Sequence, residues 1–188
     1  SRLSRGLGDV YKRQVLTNFK NQGRLRFIGL SDWSNSRIMK YIKMCNPDVV
    51  QPYRNVMDDD FIKSGLCSYV NKNNLGVCFF SPIKHGLLTG KYDKPTSFEL
   101  GDHRSGVKDF ADQNVIDKMK QNKLLLEKRF TEHKHPVMRG LVDALFNDAK
   151  SGCVLLGQRN VDQVNVASTL GEPMDEKDSA WVKSLYHH

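Results

Sequence analysis

The sequence predicts an α/β fold in which parallel strands alternate with helices, and two observations carry that reading. Short apolar runs, LRFIGL, DVVQ, VCFF and CVLL, each end in a loop of Ser, Pro, Gly or Asn, and each is followed by a stretch with helical spacing. The pattern recurs four times without a defensible sequence repeat, and such alternation implies parallel strands with right-handed helical crossovers. An open doubly wound sheet and part of a (β/α)8 barrel both satisfy it. In either architecture ligands gather at the carboxyl ends of the strands.

The elements follow in order. Residues 15–24 place Val15, Leu16 and Phe19 at helical spacing, with Gly23 as a stop. Residues 25–30 read as the first strand, broken by Ser31-Asp32-Trp33-Ser34. Ser34 or Asn35 caps a helix with Ile38, Met39, Tyr41, Ile42 and Cys45 on its apolar face, and Asn46-Pro47 ends it. The second strand is residues 48–51. A helix over 60–72 then turns Phe61, Ile62, Leu66, Tyr69 and Val70 inward, with aspartates at its positive start. The third strand is Val77 to Phe80. After it comes a long polar stretch, residues 93–113, whose length without periodicity reads as an active-site lid or a mobile loop. Helices are expected over 115–130 and from Pro136 to Ala149, a fourth strand over 153–156, a helix with Val161, Val164 and Leu170 apolar, and a final helix capped by Asp175 with Ala180, Trp181 and Leu185 inward.

Hydrophobic residues are 39% and charged residues 27% of the chain, a globular rather than a disordered composition. No apolar run approaches the ~20 residues of a membrane span, and no secretion signal opens the chain, so a cytoplasmic protein with no membrane partner is expected. Cys45, Cys67, Cys78 and Cys153 sit singly in apolar stretches, which reads as buried reduced thiols. The first fourteen residues, SRLSRGLGDVYKRQ, lack hydrophobic periodicity and resemble a translated sequencing adapter. Ser1 to Gln14 is therefore expected to be a non-native leader that does not lead into the helix after it, with the native part at 15–186. Four basic residues against Asp9 in that leader account for +3 of the formal +8, leaving +5. Those charges are interspersed, with no basic stripe among aromatics, so no nucleic-acid partner is expected.

The chemistry concentrates in residues 75–92, LGVCFFSPIKHGLLTGKY. Here a buried strand becomes a loop at Ser81-Pro82, carrying Lys84, His85 and Gly86. Leu87 to Gly90 has the makings of one helical turn, whose free N–H groups beside Gly86 and Lys84 suit a phosphate. The alternative is an ordinary strand-to-loop junction. His133-Lys134-His135 lacks nearby ligands and reads as a polar helix end rather than a metal site.

Four strand ends match, in order, the second half of the aldo-keto reductase barrel. RFIGLSDW at 26–33 resembles that family's fifth strand, whose usual ending is Ser-Asn, and VVQ at 49–51 with Asn55 resembles the sixth. SPIKHGLLTGKY is similar to the loop after the seventh, and GQRNVDQV at 157–164 to the segment after the eighth. Gly101-Asp102-His103-Arg104 resembles a GDHR in the family's long loop. The resemblance spans about residues 15–186 and implies a partial (β/α)8 TIM barrel, its C-terminal half, from an oxidoreductase acting on a small-molecule carbonyl or alcohol.

The resemblance further implies an extended NADP(H) with its pyrophosphate against Ser81, Pro82, Ile83, Lys84, Gly86 and Leu87. Gly157, Gln158, Arg159 and Gln163 would hold the adenosine end, Arg159 pairing with the 2′-phosphate. Phe80 takes the place of the aromatic that stacks on the nicotinamide, and Ser31, Asp32 and Gln51 match the trio that binds its carboxamide. Three residues depart from the family's pattern. Asp32 stands for the usual asparagine, Val166 and Ala167 for an acid and an asparagine at the adenine, and Leu156 for a proline. The family's Asp, Tyr, Lys and His tetrad belongs to the first four strands, so no catalytic residue is assigned here, Tyr53, Tyr69 and Tyr92 included. The expected fragment is inactive alone. The alternative is a reductase-like NADP(H)-binding regulatory subunit, similar to potassium-channel β subunits; a third possibility is a phosphosugar-handling barrel. Substrate identity and oligomeric state are not legible.

Overall fold

A computed structural model of the chain describes residues 2–149 and 151–187. Helix α1 (Arg2–Asn21) ends where Gly23 turns to positive φ, and strand β1 (Gly29–Asp32) follows. Helix α2 (Asn35–Cys45) starts at Ser34, whose side chain accepts from the Arg37 N–H, and ends at Asn46 in the left-handed conformation. Strand β2 (Val49–Pro52) leads to helices α3 (Asp60–Lys63) and α4 (Leu66–Lys72), then strand β3 (Gly76–Phe79). Helices α5 (Gln113–Arg129) and α6 (Pro136–Asp143), strand β4 (Gly152–Val154), and helices α7 (Val161–Ala167) and α8 (Glu176–Tyr186) complete the chain. No helix among the described residues is long and apolar enough to cross a membrane.

The four strands are parallel and lie in the order β1-β2-β3-β4. Unbroken sequential order separates the two architectures, because a doubly wound sheet reverses direction at a switch point. The two faces differ as well. Val50, Val77 and Phe79 are buried among the helices, whereas Gln51 and Cys78 on the opposite face are half-buried and Cys153 is exposed. Helices thus cover one face of a singly wound parallel wall, the arrangement of part of a (β/α)8 barrel.

Several expectations are corrected. Helix α1 runs without a break through Gln14, so residues 2–14 do lead into the helix after them; the apolar pattern that was missing is not needed once the backbone ladder continues. The helix expected over 60–72 is two, broken at Ser64-Gly65, and Ile62 is 46% exposed. The helix expected from Pro136 to Ala149 stops at Asp143 and gives way to a short turn over Phe146–Asp148. In α7, Val161 is 72% exposed and Val164 also faces solvent, and Ala180 on α8 is exposed. None of the four cysteines is buried. Residues 93–113 are not structureless: Phe110 is buried against Tyr92 and Phe98, at 5.1 and 4.9 Å between ring centroids, and of two short turns one (His103–Gly106) precedes that anchor and the other (Lys108–Ala111) contains it.

A buried ionic network ties the sheet to the C-terminal helix. Arg54, 1% exposed, donates through Nε at 2.9 Å to Asp148 Oδ2, with Nη2 at 2.8 Å from the same oxygen, and through Nη1 to the carbonyls of Asn55 and Asp58. Lys183 of α8 reaches the other Asp148 oxygen at 2.6 Å. Among the described residues β1 and β4 each pair on one side only, and apolar Leu155, Val161 and Val164 lie exposed beyond β4. Unpaired edges beside apolar surface favour self-association. In size-exclusion chromatography with light scattering, the 188-residue chain is expected to run above its monomer mass and to bind an apolar dye. A monomer that ignores the dye and unfolds sharply would contradict this.

Candidate functional site

Strand β3 delivers the site because its carboxyl end is fixed on both sides, the Phe79 carbonyl accepting from the Leu155 N–H at 2.9 Å toward β4 and Phe80 bonding toward β2. The Phe80 N–H donates to Pro52 O and its carbonyl accepts from Arg54 N–H, each at 3.1 Å. The chain then enters unusual backbone space, with Ser81, Lys84 and His85 at φ of 61°, 46° and 56° and Gly86 at 91°. Three residues bearing side chains in the left-handed region cost about 1–2 kcal/mol each. Such strain persists only where the surroundings hold it, and it clusters at ligand sites. The surroundings here are firm: Leu87 and Leu88 are fully buried, and the Tyr186 hydroxyl of α8 donates to Leu88 O at 3.2 Å.

The loops after β3 and β4 share one cleft of about 510 Å³. Phe80, Ser81, Pro82, Ile83 and Gly86 form one wall, and Gly157, Gln158, Arg159 and Gln163 the other. Gln163 braces its own loop, its Oε1 accepting from the Arg159 N–H at 2.6 Å, and Asn160 caps α7 by accepting from Gln163 N–H. Lys84 and Leu87 lie outside the cleft. Lys84 is turned to Asp109, Nζ to Oδ2 2.5 Å, which pins the long loop to the β3 loop, and Leu87 belongs to the core.

The cleft is electropositive. Lys91, His103, Arg104 and Arg159 line it against one acid, Asp102. That acid is already paired: Arg104 donates to both Asp102 oxygens and holds the carboxyl far below the usual carboxylate range. Arg159 makes no ion pair within 4 Å among the described residues, although Asp102 feels its charge. Burial, and then the charges of His103 and Arg104, lower the His85 pKa below its ordinary value. Ser81 Oγ is buried, with the Tyr53 phenol as a polar neighbour.

A second cavity of about 440 Å³ holds Ser31, Asp32, Gln51 and Phe80 together with Trp33 and Arg37. Parallel pairing of β1 with β2 sets Ser31 opposite Gln51, and Ser31 Oγ donates to Gln51 O at 3.0 Å. Asp32 faces its own chain: Oδ1 accepts from Ser34 N–H at 2.9 Å and Oδ2 lies 3.4 Å from Arg37. Trp33, 63% exposed, is the wall common to both cavities, in T-shaped contact with Phe80 at 4.9 Å and tilted against Tyr53 at 5.5 Å. Burial, followed by the charge of Asp58, raises the Tyr53 phenol above its ordinary value, away from the neutral range. His133 is spent on structure, its ring accepting from His135 N–H and contacting Thr169 O at 3.0 Å.

The sequence reading does not single out Trp33 or Lys91, and it gives Asp102 to Arg104 no role in a site. The available signal was the density of basic and aromatic residues in loops that follow strands. The residues expected at the nicotinamide and those expected at the phosphates occupy adjoining cavities that meet at Phe80 and Trp33.

Comparisons with known proteins bear on this geometry. L-glyceraldehyde 3-phosphate reductase of Escherichia coli (strain K12) is 24% identical over 157 residues, 80% of this chain and 45% of that protein. NADH-specific methylglyoxal reductase of the same organism is 27% identical over 110 residues, 57% of this chain and 33% of that protein. Among solved structures, glycerol dehydrogenase AKR11B4 from Gluconobacter oxydans superposes with a TM-score of 0.76 at 22% identity, over 94% of this chain and 54% of that one. The chain thus spans about half the length of the relatives it matches. The family model described as Aldo/keto reductase family matches residues 12–186, and the chain belongs to the aldo/keto reductase family.

Proposed function

We propose that this chain is the nucleotide-binding half of an oxidoreductase that moves hydride between NADP(H) and a small-molecule carbonyl or alcohol. The observation that carries the reading is the convergence of the β3 and β4 loops on one electropositive cleft, with Arg159 at its wall. An anionic dinucleotide meets those features. The strained backbone at Ser81 to Gly86 lines the cleft, the kind of conformation found in phosphate-binding loops. Arg159 has a free guanidinium for a 2′-phosphate, Phe80 a flat face for a ring, and Gln51 an amide for a carboxamide. When bound, the nicotinamide supplies or accepts the hydride. The residues of this chain bind it and orient it; the tetrad that handles the proton is expected on strands outside it, so the chain alone is expected to show no turnover. Leader residues 1–14 lie outside this machinery and are proposed to be dispensable.

Calorimetric titration of the 188-residue chain and its Arg159→Ala variant with NADPH and NADH tests the reading. Loss of one charge-assisted contact predicts about tenfold weaker NADPH binding, with NADH little changed. Equal losses for both nucleotides would remove Arg159 from the 2′-phosphate, which matters because a matched relative is named as NADH-specific. No binding of either nucleotide would remove the cofactor assignment.

A further inference from the structure

We propose that Cys78 and Cys153 form a dithiol site that a low-molecular-weight disulfide converts to an intramolecular disulfide, joining β3 to β4 directly beneath the cleft. The two residues are Cα partners on neighbouring parallel strands. Neighbouring strands lie about 4.7–4.9 Å apart, within the ~4.4–6.8 Å that Cα atoms of a disulfide span. Both side chains leave the sheet on the face opposite the buried Val77 and Phe79, so they point the same way. Burial first, and then the neighbouring Cys153 thiol, push the Cys78 thiol up to about 11. The other cysteines are placed elsewhere, Cys45 on α2 and Cys67 on α4, where its Sγ donates to Asp148 O at 3.3 Å.

Access sets the order of events. Cys153 is exposed and Cys78 half-buried, so the reagent meets Cys153 first. The Cys153 thiolate attacks one sulfur of the disulfide, forming a mixed disulfide and expelling one thiolate. Cys78, losing its proton to solvent, then attacks the Cys153 sulfur and expels the second. Two protein thiols are oxidised, one external disulfide is reduced to two thiols, and the protein loses two hydrogens. The pair sits two residues before Phe80 and two before Leu155, both of which line the cleft. Its covalent state therefore fixes or frees the spacing between the two walls.

The reduced chain would be incubated at low protein concentration with oxidised glutathione, alkylated with iodoacetamide and analysed by mass spectrometry. Two of the four thiols are expected to escape alkylation, a tryptic peptide pair linking Cys78 to Cys153 to appear, and dithiothreitol to restore all four. The Cys153→Ser variant should form no cross-link. The Cys45→Ser/Cys67→Ser variant, which keeps the pair, should form it as the parent does, and this holds the test open if the first variant misfolds. Four alkylatable thiols after oxidation, a glutathione adduct that persists on Cys153, a Cys153-linked dimer or a cross-link between any other pair would each overturn the proposal.

Discussion

Replacing Arg54 with methionine is expected to destabilise the chain by about 3 kcal/mol, near the lower end of what breaking a buried ion pair costs. The variant keeps the length of the side chain and removes its charge. Asp148, 8% exposed, then loses two close contacts, and the carbonyls of Asn55 and Asp58 lose their shared donor. Lys183 remains at 2.6 Å and keeps Asp148 partly compensated, which is why the loss falls at the lower end. The site should feel it, because the Arg54 N–H also holds the Phe80 carbonyl. Urea unfolding followed by tryptophan fluorescence, at one fixed protein concentration so that association does not confound the midpoint, measures the effect. The exposed pair of Lys63 with Asp59 serves as control, and Lys63→Ala should leave the urea midpoint essentially unchanged. If Arg54→Met cost no more than that control, the network would be decoration rather than support.

Arg54 also shows what the sequence withheld. Its surroundings, PYRNVMDDD, read as an irregular segment, and its partner lies 94 residues away. No local pattern announces a contact of that separation. The strands were legible because each is a short apolar run with a breaker after it, a signal that depends on a few consecutive residues. Their order is not in the alternation, which fits a doubly wound sheet and a barrel equally; the resemblance implied the barrel, and the pairing of Val50 with Val77 and Cys78 with Cys153 agrees with it. The same long-range fact hid the facing thiols, which the sequence presents as solitary. Helix α7 misled in the opposite direction: Val161 and Val164 have core spacing, yet both stay largely exposed. Periodicity reports which face wants burial, not whether a neighbour supplies it. Phe98 and Phe110 failed as signals for a related reason, because a hydrophobic anchor inside a loop has no period to detect. At the site, Phe80, Ser81 and Arg159 were named through the resemblance and lie together at the cleft, whereas the turning away of Lys84 required Asp109, 25 residues on.

Gly90→Ala is expected to cost about 2–5 kcal/mol, the sum of a left-handed backbone penalty of about 1–2 kcal/mol and an overpacking cost of about 1–3. Gly90 lies at φ 66°, and a Cβ there would stand 2.6 Å from Met119 O and 2.8 Å from Lys123 Cβ. Both belong to α5, whose backbone cannot give way without breaking its own hydrogen bonds, so the β3 loop must lift off the helix. Gly101→Ala separates the two contributions: its φ of 98° carries the backbone penalty, but nothing lies within 4 Å of its Cβ position. That variant should lose only the smaller share. Matched urea midpoints for the two variants would mean that Gly90 does not pack on α5. The difference should extend to ligand binding, since Gly90 closes the turn over Lys84–Thr89 that buries Leu87 and Leu88 and thereby holds Ser81 to Gly86 in their strained conformation. Once that turn is lifted, the loop is free to relax to negative φ and the cleft wall it forms is lost. NADPH affinity should therefore fall in Gly90→Ala while the protein is still folded, and be retained in Gly101→Ala. An affinity unchanged in both would show that the loop's conformation does not depend on its seat against α5.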